Sequence, residues 1–137
     1  MANFEHIAAL KEGPEGWHKW RQANPNVIPD LFEANLSGEN LIAAKLMKAD
    51  LSAADLSRAD LSGAKLLRAN LSGAKLNEAK LCHADLVSAD LVGADLSGAD
   101  VHEAKFIGAD LRYANFSGVD LSRVLLTEKQ LSEIIII

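Results

Sequence analysis

The sequence predicts an all-β solenoid closed by short helical caps, on three observations. Leucine or another large apolar residue returns every five residues for 19 consecutive pentads, residues 29–123, centred on Leu31 through Leu121. Alanine stands two places before that centre in 16 of the 19, the exceptions being Pro29, Glu39 and Val119. Aromatics make up only 5% of a chain that is 49% apolar. A close-packed core of this composition needs many small, similar layers rather than a few bulky side chains, which argues against an ordinary α/β enzyme domain.

The period decides the winding. On an α-helix each pentad advances by about 140°, so the leucines would scatter around the circumference with no apolar stripe. On one continuous strand an odd period sends successive leucines to opposite faces. Within a pentad, however, alanine and leucine are two apart and share a face if that piece is extended. A corner at the remaining two residues then turns the next pair toward the same interior. Seven of the nine glycines, Gly38, Gly63, Gly73, Gly93, Gly98, Gly108 and Gly118, fall at the last place of a pentad, where the second central residue of a type II turn has positive φ. Non-glycine corners such as Arg58, Glu78 and Tyr113 are expected to use another turn.

Periodicity alone leaves the number of sides and the hand open. Ala49-Asp50-Leu51-Ser52-Ala53, Ala59-Asp60-Leu61-Ser62-Gly63 and Ala94-Asp95-Leu96-Ser97-Gly98 resemble the A(D/N)LxX pattern of the pentapeptide-repeat family. The resemblance implies a right-handed quadrilateral β-helix with four pentads per coil. Nearly five coils follow, a rod about 23 Å long at the usual strand spacing. The expected division is a helical N-terminal cap over residues 1–28, the β-helix over 29–126 and a short helical cap over 127–137.

Each end of a solenoid must be covered. Phe4, Ile7, Ala8 and Leu10 have helical spacing, Gly13-Pro14 interrupts the chain, and Pro14 can open a second helix carrying Trp17 and Trp20 on one face. Leu10 to Leu31 also resembles the helical caps of cyanobacterial members of the family. Thr127 and Gln130 have the spacing of a capping box, which predicts a helix from about Glu128 with Leu131, Ile134 and Ile135 on one face. Ile134, Ile135, Ile136 and Ile137 exceed what so short a helix buries, which makes this end a candidate for pairing with a second copy.

With twenty residues per coil, outward positions stack in columns. Asp50, Asn70, Asp90 and Asp110 form an acidic or neutral column, a candidate surface for a basic partner. Asp55, Lys75, Asp95 and Asp60, Lys80, Asp100 alternate in sign, which predicts ion-pair ladders between coils. Lys45, Lys65, Asp85 and Lys105 form a mostly basic column. Some family members are acidic mimics of duplex DNA that bind DNA gyrase. Here residues 29–123 carry 14 acidic and 10 basic side chains, which dilutes such mimicry and leaves gyrase binding as the alternative to a protein-binding scaffold.

Cys82 is expected to stack under His102, and His83 under Glu103, gathering ligand types that suit zinc. This makes a surface metal site a further alternative, although no close-spaced ligand pair such as CxxC is present. His6 and His18 fall in the N-terminal cap, where packing is the expected role. The chain lacks a phosphate loop, a GxSxG elbow, an HExxH helix and a dinucleotide fingerprint, so neither an enzyme nor a cofactor is expected. The net charge of −5 argues against nucleic acid as partner. Met1 to Gly13 does not read as a signal peptide, no apolar stretch reaches membrane-spanning length, and Cys82 is the single cysteine. A cytoplasmic location follows, with an unidentified protein as the partner and no membrane.

Overall fold

A computed structural model describes residues 2–137; Met1, at the start of the expected cap, lies outside them. Three helices are present: α1 (Phe4–Lys11), α2 (Pro14–Ala23) and α3 (Glu128–Glu133). Between α2 and α3 the backbone pairs with itself in parallel through single residues twenty apart, as in Asp30 with Asp50, Asn35 with Asp55, Asn40 with Asp60 and Lys45 with Lys65. A corner every five residues and a partner every twenty make four sides, numbered here one to four from the pentads of Asp30, Asn35, Asn40 and Lys45. Each side is too short to be a continuous strand.

Every peptide N–H of a regular pentad has a destination, as burial requires. Leu51 N–H donates to Asn70 O at 2.8 Å and Ala53 N–H to Ser72 O at 2.9 Å in the next coil, while Asp50 N–H donates back to Pro29 O at 2.9 Å. Ala54 N–H closes the corner onto Leu51 O at 3.0 Å. The fifth donor, Ser52 N–H, goes to Asp50 Oδ1 at 3.1 Å. This is why Asp or Asn precedes the leucine. All 14 Asp and Asn residues at that place accept from the N–H two residues on. The lysines at 45, 65, 75, 80 and 105 offer no such acceptor.

The corners differ from expectation. Eleven non-glycine residues, among them Arg58, Glu78 and Tyr113, share positive φ with the seven corner glycines, and all 18 values from Glu33 to Gly118 lie between 55° and 73°. One turn geometry therefore serves throughout, because the stacked hydrogen bonds fix the path whatever the side chain. Inside, the central leucines of the pentads from Leu31 to Leu96 are 0–1% exposed, each burial contributing about 2 kcal/mol of transfer free energy. Phe106 and Phe116 meet edge to face at 5.9 Å. After Gly118 the frame loosens: Glu103 N–H reaches Arg123 O, one residue beyond the regular offset.

At the N-terminal end, Asn3 caps α1 by accepting from the N–H groups of Glu5 and His6. The face of α1 that packs consists of His6, Ala9 and Leu10 with the partly buried Ile7 beside them, while Phe4 is 78% exposed and Ala8 is exposed as well. His6 turns inward because its Nδ1 accepts Asp30 N–H at 2.9 Å, a donor that no earlier coil can satisfy. In the same way Trp17 Nε1 donates to Lys45 O at 3.1 Å. Trp20 stacks on Trp17 with centroids 5.0 Å apart. His18 is exposed, so packing describes His6 but not His18.

The C-terminal end pairs the Thr127 and Gln130 groups in a full capping box. What seals the coil is Gln130, whose Nε2 donates to Phe106 O at 2.8 Å and Ala109 O at 3.1 Å. The expected apolar helical face is not formed. Leu131 is 47% exposed, and Ile134 is the C-cap with extended backbone. Ile135 leaves the helix to extend side two, pairing with Asn115 through Ile135 N–H to Ala114 O at 2.7 Å and Phe116 N–H to Ile135 O at 2.8 Å. The open backbone of the last coil captures the tail in preference to another helical turn.

Candidate interaction surfaces

The outward groups form the predicted columns but not all the predicted contacts. Asp50, Asp90 and Asp110 share side one through the bridges that also join Asp30 and Asn70. Their carboxylates are committed locally: Asp50 accepts from the Ser52 hydroxyl, and Asp110 binds Arg112 with contacts of 2.7–3.2 Å. The Arg112 hydrogen bonds hold the Asp110 carboxyl below the usual range. Asp55 is likewise lowered, first by the Ser57 hydroxyl and then by the Ser57 N–H. The expected Lys–Asp ladders at 55, 75, 95 and 60, 80, 100 make no ion pair among the described residues, because each aspartate folds back over its own corner. Ion pairs between coils sit at the corners instead, as in Arg58 with Glu78 at 3.5 Å.

Cys82, His83, His102 and Glu103 do lie together on side three, but they divide. Cys82 Sγ donates to Asp100 Oδ2 at 3.1 Å. Glu103 receives His83 Nδ1 at 3.2 Å, Arg123 Nη2 at 3.0 Å and His102 Nε2 at 3.9 Å. Burial, then the hydrogen bond from the thiol to Asp100 and the charge of that carboxylate, push the Cys82 thiol up to about 11. A thiol held neutral is a poor metal ligand. Among the described residues no three His, Cys, Asp or Glu side chains are placed to hold a metal ion.

Of the terminal isoleucines, Ile136 and Ile137 are 62% and 96% exposed. Beneath α3 lies a cavity of about 500 Å³ lined by Asp110, Arg112, Lys129 and Glu133 among others, with charges of both signs. A second feature was missed by following only the residue before each leucine. The residue after it on side four is Met47, Leu67, Val87 and Ile107, an outward apolar column visible on reading every twentieth position from 47.

A parallel solenoid with hydrogen-bonding caps and outward columns is a repeat protein whose chemistry lies on its sides. The family model for pentapeptide repeats matches residues 30–63, 64–102 and 89–127, and the chain belongs to that family. Rfr23, a pentapeptide repeat protein from the cyanobacterium Cyanothece 51142, is 35% identical over 72% of this chain and 60% of its own, with a TM-score of 0.49. HetL, from the cyanobacterium Nostoc sp. strain PCC 7120 and involved in heterocyst differentiation regulation, is 35% identical over 76% of this chain and 53% of its own, with a TM-score of 0.45. The chain thus spans 53–60% of the length of these two proteins. A pentapeptide repeat protein of the Arabidopsis thaliana thylakoid lumen is 32% identical over 70% of each chain, with a TM-score of 0.41. No curated protein matches the chain. Among the described residues no helix is long and apolar enough to cross a membrane.

Proposed function

We propose that this chain is a non-enzymatic scaffold, a right-handed quadrilateral β-helix that binds another protein through a rigid side and acts in the cytoplasm. The observation that carries the reading is the regular repetition of backbone bonds between coils, as in Leu51 to Asn70, Ala53 to Ser72 and Asp50 to Pro29. Outward side chains are thereby held at intervals of about 4.8 Å, so little conformational freedom is lost on association. Affinity capture from native cells, with the full chain tagged at its N-terminus, tests it. Recovery of one protein in stoichiometric amount, retained through washing, is the expected result; repeated recovery of none overturns the reading.

Mimicry of DNA fits poorly, since side four carries five cations and one anion. A supercoiling assay with purified gyrase at micromolar protein is expected to show neither inhibition nor protection. Pairing of two copies draws support from the side chains of Ile136 and Ile137, which are left exposed beside the last coil. Light scattering of the full chain and of a chain ending at Glu133 checks it; a strict monomer at high concentration rules the pairing out.

A further inference from the structure

We infer that side four is the docking face, and that its occupant is an amphipathic helix of a partner protein with acidic residues flanking its apolar stripe. The inference rests on the scaffold reading and adds to it the face and the partner chemistry. Along this side run Met47, Leu67, Val87 and Ile107, with Leu67 37% and Ile107 68% exposed and Met47 and Val87 half-buried. On the other three sides that column is broken by serine, asparagine, cysteine, histidine or arginine. Beside the apolar column stand Lys45, Lys48, Lys65, Arg68 and Lys105, all exposed, with Asp85 the one acid. None of the five cations has an ionic partner among the described residues. Side four therefore carries +4 on a chain of −5, and everything else carries −9.

Two features show that this side departs from what the coil itself requires. Lysine at 45, 65 and 105 gives up the Asp or Asn that accepts the N–H two residues on, which happens once each on sides two and three, at 75 and 80, and never on side one; none of the four residues after the centre is serine, against eight of 15 on the other sides. Local hydrogen bonds are lost there, and an unpaired cationic, apolar strip is gained. At its C-terminal end the strip opens into a cavity of about 230 Å³ lined by Lys105, Phe106, Ile107, Leu125 and the paired Arg123 and Glu103 among others, with Leu125 88% exposed. That is a seat for one large apolar anchor of the partner.

Spacing selects the occupant. Coils repeat at about 4.8 Å, and an α-helix returns its apolar face every 5.4 Å or so, a drift of roughly 2 Å over the four side chains. A strand returns its face only about every 6.8 Å and loses register at once. Met47 and Val87 are half-buried, so the column offers only Leu67 and Ile107 to insert into a bilayer. A row of apolar side chains also separates the cations that would track a nucleic-acid backbone. Acidic residues on either edge of a helix complement both rows of charge, which adds selectivity and speeds encounter.

The test uses the full chain and a displayed library of helices of about 18 residues, five turns, with leucine or isoleucine along one stripe and Asp, Glu, Lys and Ser randomised beside it. Binders enriched in Asp and Glu are expected. Each should lose at least about tenfold in affinity against Leu67→Ser/Ile107→Ser and against Lys65→Glu/Arg68→Glu, and weaken with salt. Both double variants change exposed groups, and an unchanged melting curve establishes that they fold. Enrichment of lysine, equal retention by both variants, or stronger binding to phosphatidylglycerol vesicles or duplex DNA overturns the inference. Helices held equally by wild type and variants place binding on another side and leave the scaffold reading standing. If no helix is retained, this face is overturned; the scaffold reading falls only if affinity capture also returns nothing.

Discussion

Ala53 sits at a corner with φ of 56° and an exposed side chain, held there by neighbours rather than by preference. A left-handed residue with a Cβ costs about 1–2 kcal/mol, partly offset in glycine by its freer unfolded chain. Ala53→Gly is therefore expected to stabilise the protein by roughly 0.5–1 kcal/mol, read as a rise in the urea midpoint. The glycine pattern revealed corners but hid the uniformity of their geometry, since seven glycines mark only the places where sterics are relieved. At Cys82 the pKa of about 11 keeps the thiol neutral across ordinary buffers, so iodoacetamide labelling at pH 8.5 should be slow and should rise only as pH approaches that value. Asp100→Ala removes both the acceptor and the charge. Labelling at pH 8.5 is then expected to accelerate by about tenfold for each unit the thiol pKa falls. The neighbourhood of Cys82 and His102 was visible in the twenty-residue stacking. Which groups pair was not, because Asp100 lies in the adjacent column and competes for the thiol.

Among the elements, the caps work by supplying hydrogen-bonding side chains where a coil is missing. His6 accepts from the first donor of side one, Trp17 donates to the first acceptor of side four, and Gln130 donates to the last acceptor of side one. Gln130→Ala leaves two carbonyls without that donor and halves the capping box. A loss of about 2–3 kcal/mol is expected, with faster amide exchange at Tyr113 and Phe116 as the local readout. The two tryptophans should differ although both lie in α2. Trp17→Phe abandons Lys45 O and should cost about 1–2 kcal/mol more than Trp20→Phe, because the buried Trp20 indole N–H has no partner to lose; thermal melts of the two variants compare them. Helix positions at both ends were legible from Pro14, Thr127 and Gln130. The sealing groups were not, since an apolar-face search passes over histidine and glutamine, and nothing local in Ile134 to Ile137 shows that a distant coil edge offers Ala114 O and Phe116 N–H.

At the scale of the molecule, each coil touches only its neighbours, so the twenty-residue unit is removable and a single residue is not. Joining Gly63 to Ala84 by deleting residues 64–83 preserves every column. The shortened protein should fold with one transition, a lower urea midpoint and a smaller m-value. Deleting Ala64 alone moves the following leucines out of phase with the interior, and the chain should fail to show the native circular dichroism spectrum. The twenty-residue frame follows from the repeat, and the four columns it defines could be written down from the sequence. The net charge of −5 could not show that one side is +4, since a sum over the chain carries no direction.

Because the bonds that hold one coil to the next all run along the axis, the chain is stored like thread on a spool. Tension applied to its two ends peels coils one after another. Each coil that yields returns about 70 Å of extended chain in exchange for roughly 4.8 Å of rod. A short, stiff body thus contains a reserve of length some fifteen times its own, released in equal steps of twenty residues.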